Sequence, residues 1–216
     1  ADLHGAAGTD AIMLTIYPQP IDTMRANLLA VKGAMECQSS EFGVPRLRRD
    51  KRSSEEGAGE KRIGEDRSPA CLESRITNYR SRPRSTGEVV TKAPARSLGA
   101  HLEGPFLNPL RAGALDAASF LTPSAYDLDR LLDGVEEIVG IITVAPELPG
   151  ALNLIRSLTD KGIIAGMGHS DATFAEAEAG YHAGARGVTH LFNAMRGFHH
   201  REPGLAGFAL RNADIY

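Results

Sequence analysis

The chain has 216 residues, 42% of them hydrophobic and 24% charged, with a formal net charge of −3. That is enough apolar material for one domain with a packed core, and it excludes a global positive field of the kind that gathers nucleic acid or acidic membranes. No apolar run nears the ~20 residues of a membrane span, no basic segment followed by an apolar one opens the chain, and Cys37 and Cys71 form no CxxC or disulfide framework; a cytoplasmic setting is expected.

In chain order, residues 1–37 read as the folded fragment of an early strand and helix. Ala11 to Tyr17 is a short apolar run suited to a buried strand, and Pro18 and Pro20 end it. Asp22 or Thr23 then caps a helix through Met24–Val31 that closes near Gly33. Residues 38–96 change character. They hold 14 of the 24 Lys and Arg and only two aromatics, Phe42 and Tyr79, with neither helical nor strand periodicity. Such a stretch buries too little apolar surface to offset its ordering entropy, and it is expected as a disordered or aberrant basic insert. A natural insertion and sequence foreign to the fold both fit; the second is favoured, because so long a structureless loop is foreign to a compact domain.

Residues 97–216 alternate strands with helices. Strands are expected at Ser97–Leu102, Val139–Val144, Gly162–Gly168 and Gly187–His190, and helices at 150–160 and 171–183, the latter capped by Ser170 or Asp171. This alternation is the pattern of βαβ units on a parallel sheet, the α/β class.

In a parallel α/β barrel the side chains at the carboxyl ends of the strands converge. Here those positions hold Glu103, His169 and His190. One carboxylate and two imidazoles suit Zn²⁺ or Fe²⁺ with a position open to water, which the metal would acidify. Each residue alone also fits a plain role: a hydrogen-bonded histidine at a strand end, an ion-paired glutamate. Spacing leaves both readings open.

Five segments carry a resemblance. Gly99-Ala-His-Leu-Glu-Gly-Pro-Phe-Leu-Asn-Pro109, Thr143-Val-Ala-Pro-Glu147, Gly168-His-Ser-Asp-Ala-Thr173, Thr189-His-Leu-Phe-Asn-Ala-Met195 and His200-Arg-Glu-Pro-Gly-Leu-Ala-Gly207 resemble, in order, the motifs of the N-acetylglucosamine-6-phosphate deacetylases of the amidohydrolase superfamily. The resemblance covers just over half of the chain. It implies a partial (β/α)8 TIM barrel of the metal-dependent hydrolase type, and hydrolysis of N-acetylglucosamine 6-phosphate to glucosamine 6-phosphate and acetate. It places Glu103, His169 and His190 on the ligands of a divalent metal, Zn²⁺ first and Fe²⁺ as the alternative. It places Ala114, Asn193 and Ala194 on substrate contacts. Arg201 falls on an arginine that reaches the phosphate in a neighbouring subunit, which implies a homodimer and suits a guanidinium's bidentate pairing with phosphate.

The chain also departs from that pattern. The family's catalytic aspartate, which works the protons, is expected beyond Tyr216, so no catalytic residue is assigned here. Where the family has a histidine that polarises the acetyl carbonyl, Leu115 stands and cannot donate. His4 is not counted as a ligand, and His182, His199 and His200 receive no chemistry; His101, in step with Glu103, is expected beside the ligands. An inactive remnant that keeps metal and sugar-phosphate binding, or another deacylase of the superfamily, are the alternatives. Neither nucleic acid nor membrane is an expected partner, since the basic residues of 46–96 are interleaved with acidic ones and stacking aromatics are few.

Overall fold

The structure, a computed structural model, describes residues 11–42 and 95–216. Most of the expected 38–96 insert, and His4 and Cys71, lie outside the described residues. Five strands form one sheet in sequence order: β1 (Ala11–Ile16), β2 (Arg96–Leu102), β3 (Val139–Val144), β4 (Ile164–Met167) and β5 (Gly187–Val188). Every neighbouring pair is parallel. Helices α1 (Ile21–Phe42), α2 (Ala125–Leu132), α3 (Ala151–Asp160), α4 (Phe174–Ala183) and α5 (Gly204–Arg211) complete the order. Sequential parallel strands joined through helices are five steps of an α/β barrel wall.

Period-2 alternation divides each strand between two faces. Leu102 of β2, Ile142 and Val144 of β3, and Ala165 and Met167 of β4 are buried in the core. Against them pack Met24 and Leu28 of α1, Leu128 and Leu131 of α2, and Leu154, Ile155 and Leu158 of α3. The i, i+3, i+4 spacing of the last three makes one apolar stripe. The opposite face carries His101, Glu103 and Thr143, and it is more open: Ile164, on this side of β4, is 38% exposed.

Several expected boundaries shift. β1 was expected to be buried, yet Met13 and Leu14 are each 37% exposed and only Ile16 of this strand is buried. It is an edge strand, with β2 on one side and no further strand on the other among the described residues. Helix α1 begins one residue before Asp22 and runs on through Gly33. The carbonyl of Pro20 accepts its first bonds, from the N–H groups of Thr23 and Met24, and nothing crowds Gly33, so that glycine costs only about 1 kcal/mol of propensity. Helix α4 starts at Phe174, not at 171. Its cap is Thr173, whose hydroxyl accepts from the Glu176 N–H while the Glu176 carboxylate accepts from the Thr173 N–H, a capping box. Strands β4 and β5 are shorter than expected: the turn after α3 takes Gly162 and Ile163 from the start of β4, and at the other end the left-handed His169 and His190 turn the chain out of the sheet.

Candidate metal centre

The pairing of the strands continues past their formal ends. The N–H of Glu103 donates to the carbonyl of Ile16, that of Gly168 to Val144 and that of Thr189 to Met167, at 3.0, 3.3 and 2.9 Å. Glu103 follows β2 directly, and His169 and His190 stand two residues past the ends of β4 and β5. Their reactive atoms converge. His169 Nε2 lies 2.8 Å from Glu103 Oε1, His190 Nε2 lies 2.9 Å from the same oxygen, and the two Nε2 atoms are 3.0 Å apart. Glu103 and His169 are buried, while the His190 side chain is 30% exposed, which leaves the cluster one open side.

The far side of each ring fixes its chemistry. His169 Nδ1 sits 2.8 Å from the Arg111 carbonyl, and His190 Nδ1 sits 3.1 Å from the Asn193 carbonyl. A carbonyl can only accept, so each Nδ1 carries a proton, and each Nε2 is the ring nitrogen turned toward Glu103. Burial acts to raise the Glu103 carboxyl, but hydrogen bonds and charge from His169 and His190 outweigh it and hold the group below the usual carboxylate range. One anionic oxygen and two ring nitrogens within 3.0 Å of each other form a donor set that one divalent cation can satisfy. It is the group of residues able to hold a metal ion among those described.

The backbone is strained where this happens. His169 and His190 have φ of 46° and 37°, and Phe192 and Ala194 have 74° and 50°. Left-handed non-glycine residues cost on the order of 1 kcal/mol or more each and gather at functional sites. The loop after β2 closes over the cluster at Gly113 (φ 59°). A Cβ built there would lie 3.3 Å from the Ala194 Cβ and 3.7 Å from His169 Cε1. Ala114, next in the chain, is exposed on that same loop.

The other expected site residues fall as follows. Asn193 is exposed and touches His190 through its backbone: its N–H donates to the His190 carbonyl, and its own carbonyl takes the His190 ring proton. Ala194 lies against the loop after β4, its carbonyl accepting from the Ser170 N–H. Arg201 is exposed, and its backbone N–H donates to His199 Nδ1. His101 lies one layer below Glu103. It bonds Thr143 Oγ1 at 2.8 Å, and Thr143 in turn bonds Thr189 Oγ1 at 2.8 Å, past the bare backbone of Gly166. Burial lowers the His101 pKa, and the nearby Glu103 charge works against that shift.

Sequence reasoning missed a set of polar residues around the ligands. Glu147, at the end of β3, accepts from Asn108 Nδ2, Ser170 Oγ and the Asp171 N–H at 2.8, 2.7 and 2.6 Å. Asp171 pairs with Arg111 and with Arg196. Glu147 and Asp171 stood inside recognised motifs, but nothing local in the sequence says which partner a carboxylate takes.

A wall of parallel strands with a carboxylate and two imidazoles at their carboxyl ends defines a class: partial α/β barrels that gather candidate metal ligands at the strand ends. Within that class the similarity is to the sugar-phosphate deacetylases. An N-acetylglucosamine-6-phosphate deacetylase of Bacillus subtilis is 47% identical over 117 residues, which are 54% of this chain and 29% of that protein. An N-acetylgalactosamine-6-phosphate deacetylase of Escherichia coli O157:H7 is 39% identical over 116 residues, 54% of this chain and 31% of that protein. A mutant N-acetyl-D-glucosamine-6-phosphate deacetylase of Mycobacterium smegmatis, solved in complex with N-acetyl-D-glucosamine-6-phosphate, superposes with a TM-score of 0.67 at 26% identity, covering 99% of this chain and 41% of that one. The chain thus spans about a third of the length of these curated relatives. No protein-family model matches it. Among the described residues no helix is long and apolar enough to cross a membrane.

Proposed function

We propose that this chain carries the metal centre of an enzyme that hydrolyses the N-acetyl group of N-acetylglucosamine 6-phosphate to glucosamine 6-phosphate and acetate. The convergence of Glu103, His169 and His190 carries the reading; the identity to deacetylases over the stretch that holds all three supports it. Glu103 would hold the cation through its carboxylate and the two histidines through Nε2. Bound there, Zn²⁺, or Fe²⁺ in its place, acidifies a water and polarises the acetamide carbonyl.

The remaining roles belong to the chain's own side chains and loops. The Arg111 and Asn193 carbonyls keep both rings turned with Nε2 toward Glu103. The open side at His190 admits the acetamide. In this reading Ala114, Asn193 and Ala194 hold the sugar. The exposed guanidinium of Arg201 is offered to the phosphate of a substrate in a second subunit, in a homodimer. Leu115 supplies no proton donor to the carbonyl, and the aspartate expected to move protons has no counterpart in the matched segment. A cytoplasmic setting suits this chemistry and the sparse cysteines.

Acetate release from N-acetylglucosamine 6-phosphate by the purified chain with added Zn²⁺, beside a Glu103→Gln control, tests the activity. Turnover that disappears in the control would make this chain an enzyme by itself, with another of its residues in place of the aspartate. Zn²⁺ binding without turnover would favour a remnant that keeps metal and sugar-phosphate binding. The galactosamine relative gives one further arm, since turnover of N-acetylgalactosamine 6-phosphate alone would move the substrate to its epimer.

A further inference from the structure

We propose that the ion pair of Arg111 with Asp171, closed on its far side by Arg196, is a positioning device for His169. It holds the Arg111 carbonyl against Nδ1, and so fixes the rotation of the ring, with Nδ1 on that carbonyl and Nε2 on Glu103. The consequence for metal affinity rests on the metal-centre reading above; the consequence for the ring does not.

Among the described residues the Arg111 carbonyl is the partner of His169 Nδ1, at 2.8 Å. Yet Arg111 is not part of the sheet. It ends a single 3₁₀ turn, Pro109–Arg111, in the loop after β2, and such loops are the mobile parts of a fold. Its side chain supplies the missing anchor. Arg111 Nε donates to Asp171 Oδ1 at 2.7 Å, and Arg111 Nη2 donates to the same oxygen. Asp171 stands two residues after His169. Together these contacts close a ring: His169, the chain to Asp171, the ion pair, Arg111, and the carbonyl back to the imidazole.

Asp171 is itself held from two further directions. Its N–H donates to Glu147 Oε1 at 2.6 Å, from the end of β3. Arg196 Nη2 donates to its Oδ2 at 2.8 Å, and Arg196 Nε donates to its carbonyl at 2.7 Å. Arg196 lies six residues after His190, so the same carboxylate ties the loop of one imidazole to the loop of the other. Each guanidinium makes two bonds to Asp171, Arg111 both to Oδ1 and Arg196 one to Oδ2 and one to the carbonyl, and planar paired donors fix direction as well as distance. The side chains of Arg111, Asp171 and Arg196 are 36%, 24% and 35% exposed. At that exposure ion pairs add little to stability, which leaves orientation as their main effect. Partners behind a metal-binding histidine typically govern affinity by 10–100-fold.

The test uses the full chain. Long-range proton–nitrogen correlation of the His169 ring in metal-free protein reads its Nδ1–H and the exchange of that proton with water, and competition with a chromogenic chelator reads the Zn²⁺ dissociation constant. The unaltered chain is expected to show one slowly exchanging Nδ1–H. Asp171→Asn, close in volume, and Arg111→Gln are each expected to speed that exchange and to weaken Zn²⁺ binding by about 10–100-fold. The double variant should be no weaker than either single one, because losing one partner already opens the ring. Arg111→Lys, which keeps charge but loses the planar donors, should not rescue, and it provides the same readout should Arg111→Gln fail to fold. Unchanged exchange in the single variants, unchanged affinity, or losses that add would overturn the proposal. If the unaltered chain binds no Zn²⁺, the metal reading fails, and the ring spectra alone decide the positioning claim.

Discussion

At the scale of single residues, strain and polarity sit together. His169 and His190 hold left-handed backbone angles that a histidine adopts at a cost of roughly 1 kcal/mol or more, and both aim a nitrogen at one carboxylate oxygen. Such a cost persists because the site demands the direction. Asn tolerates this conformation, so His190→Asn should hold or raise the metal-free melting temperature while abolishing tight Zn²⁺ binding; a calorimetric scan showing a fall of several degrees would contradict the strain argument. Glu202 offers a pH test. The N–H groups of Phe174 and Gly204 donate to its carboxylate and hold its pKa below the usual range. Its folded pKa is depressed, so its contribution is complete above the unfolded value of about 4.3 and is lost as pH falls through the lower folded one. The melting difference between the unaltered chain and Glu202→Gln should therefore shrink as the buffer is taken from about pH 6 to about pH 3. A difference that stays constant would assign no charge effect to Glu202.

At the scale of elements, local patterns were legible where they act alone and misleading where side chains are shared. The strands at 97–102 and 139–144 and the helix at 150–160 lie within a residue of their expected bounds, because apolar runs bounded by Gly and Pro carry their own signal. The start of α4 was misplaced for a physical reason. Ser170 and Asp171 look like caps, but Ser170 Oγ donates to Glu147 and Asp171 pairs with Arg111; the cap falls to Thr173. Thr173→Ala should cost about 1 kcal/mol in urea unfolding, whereas Ser170→Ala should act on the site rather than on the helix start. Helix α2 escaped notice although Ser124 and Asp127 form a readable cap. Helix α5 escaped because Gly204 and Gly207 lower its helical propensity. At the site, Glu103, His169 and His190 were legible from their positions at strand ends. Arg111, Asp171, Glu147 and Arg196 were not, since their pairing joins loops 23 to 60 residues apart.

At the scale of the whole molecule, the described sheet has a helix-covered face and an open one. Met13, Leu14 and Ile164 are more than a third exposed, and the outer side of β1 has no strand partner among the described residues. At the other edge, the N–H of Tyr216 donates to the Arg186 carbonyl and the Tyr216 carbonyl accepts from the Val188 N–H, the pairing of a further parallel strand beside β5. Open edges and apolar faces promote association. Light scattering on the full chain should show concentration-dependent self-association that Leu14→Lys reduces; a monodisperse monomer at all concentrations would show that these surfaces are covered in solution. The sheet matters to the site because its parallel strands end on one side, where three side chains from distant segments meet.

The central claim is that those three side chains are one metal centre, and titration of the metal-free chain with Zn²⁺ by calorimetry, beside Glu103→Gln, tests it most directly. One equivalent of Zn²⁺ bound tightly by the unaltered chain, with the binding lost in Glu103→Gln, is the result the geometry predicts. No binding by the unaltered chain, or equal binding by both proteins, would contradict it.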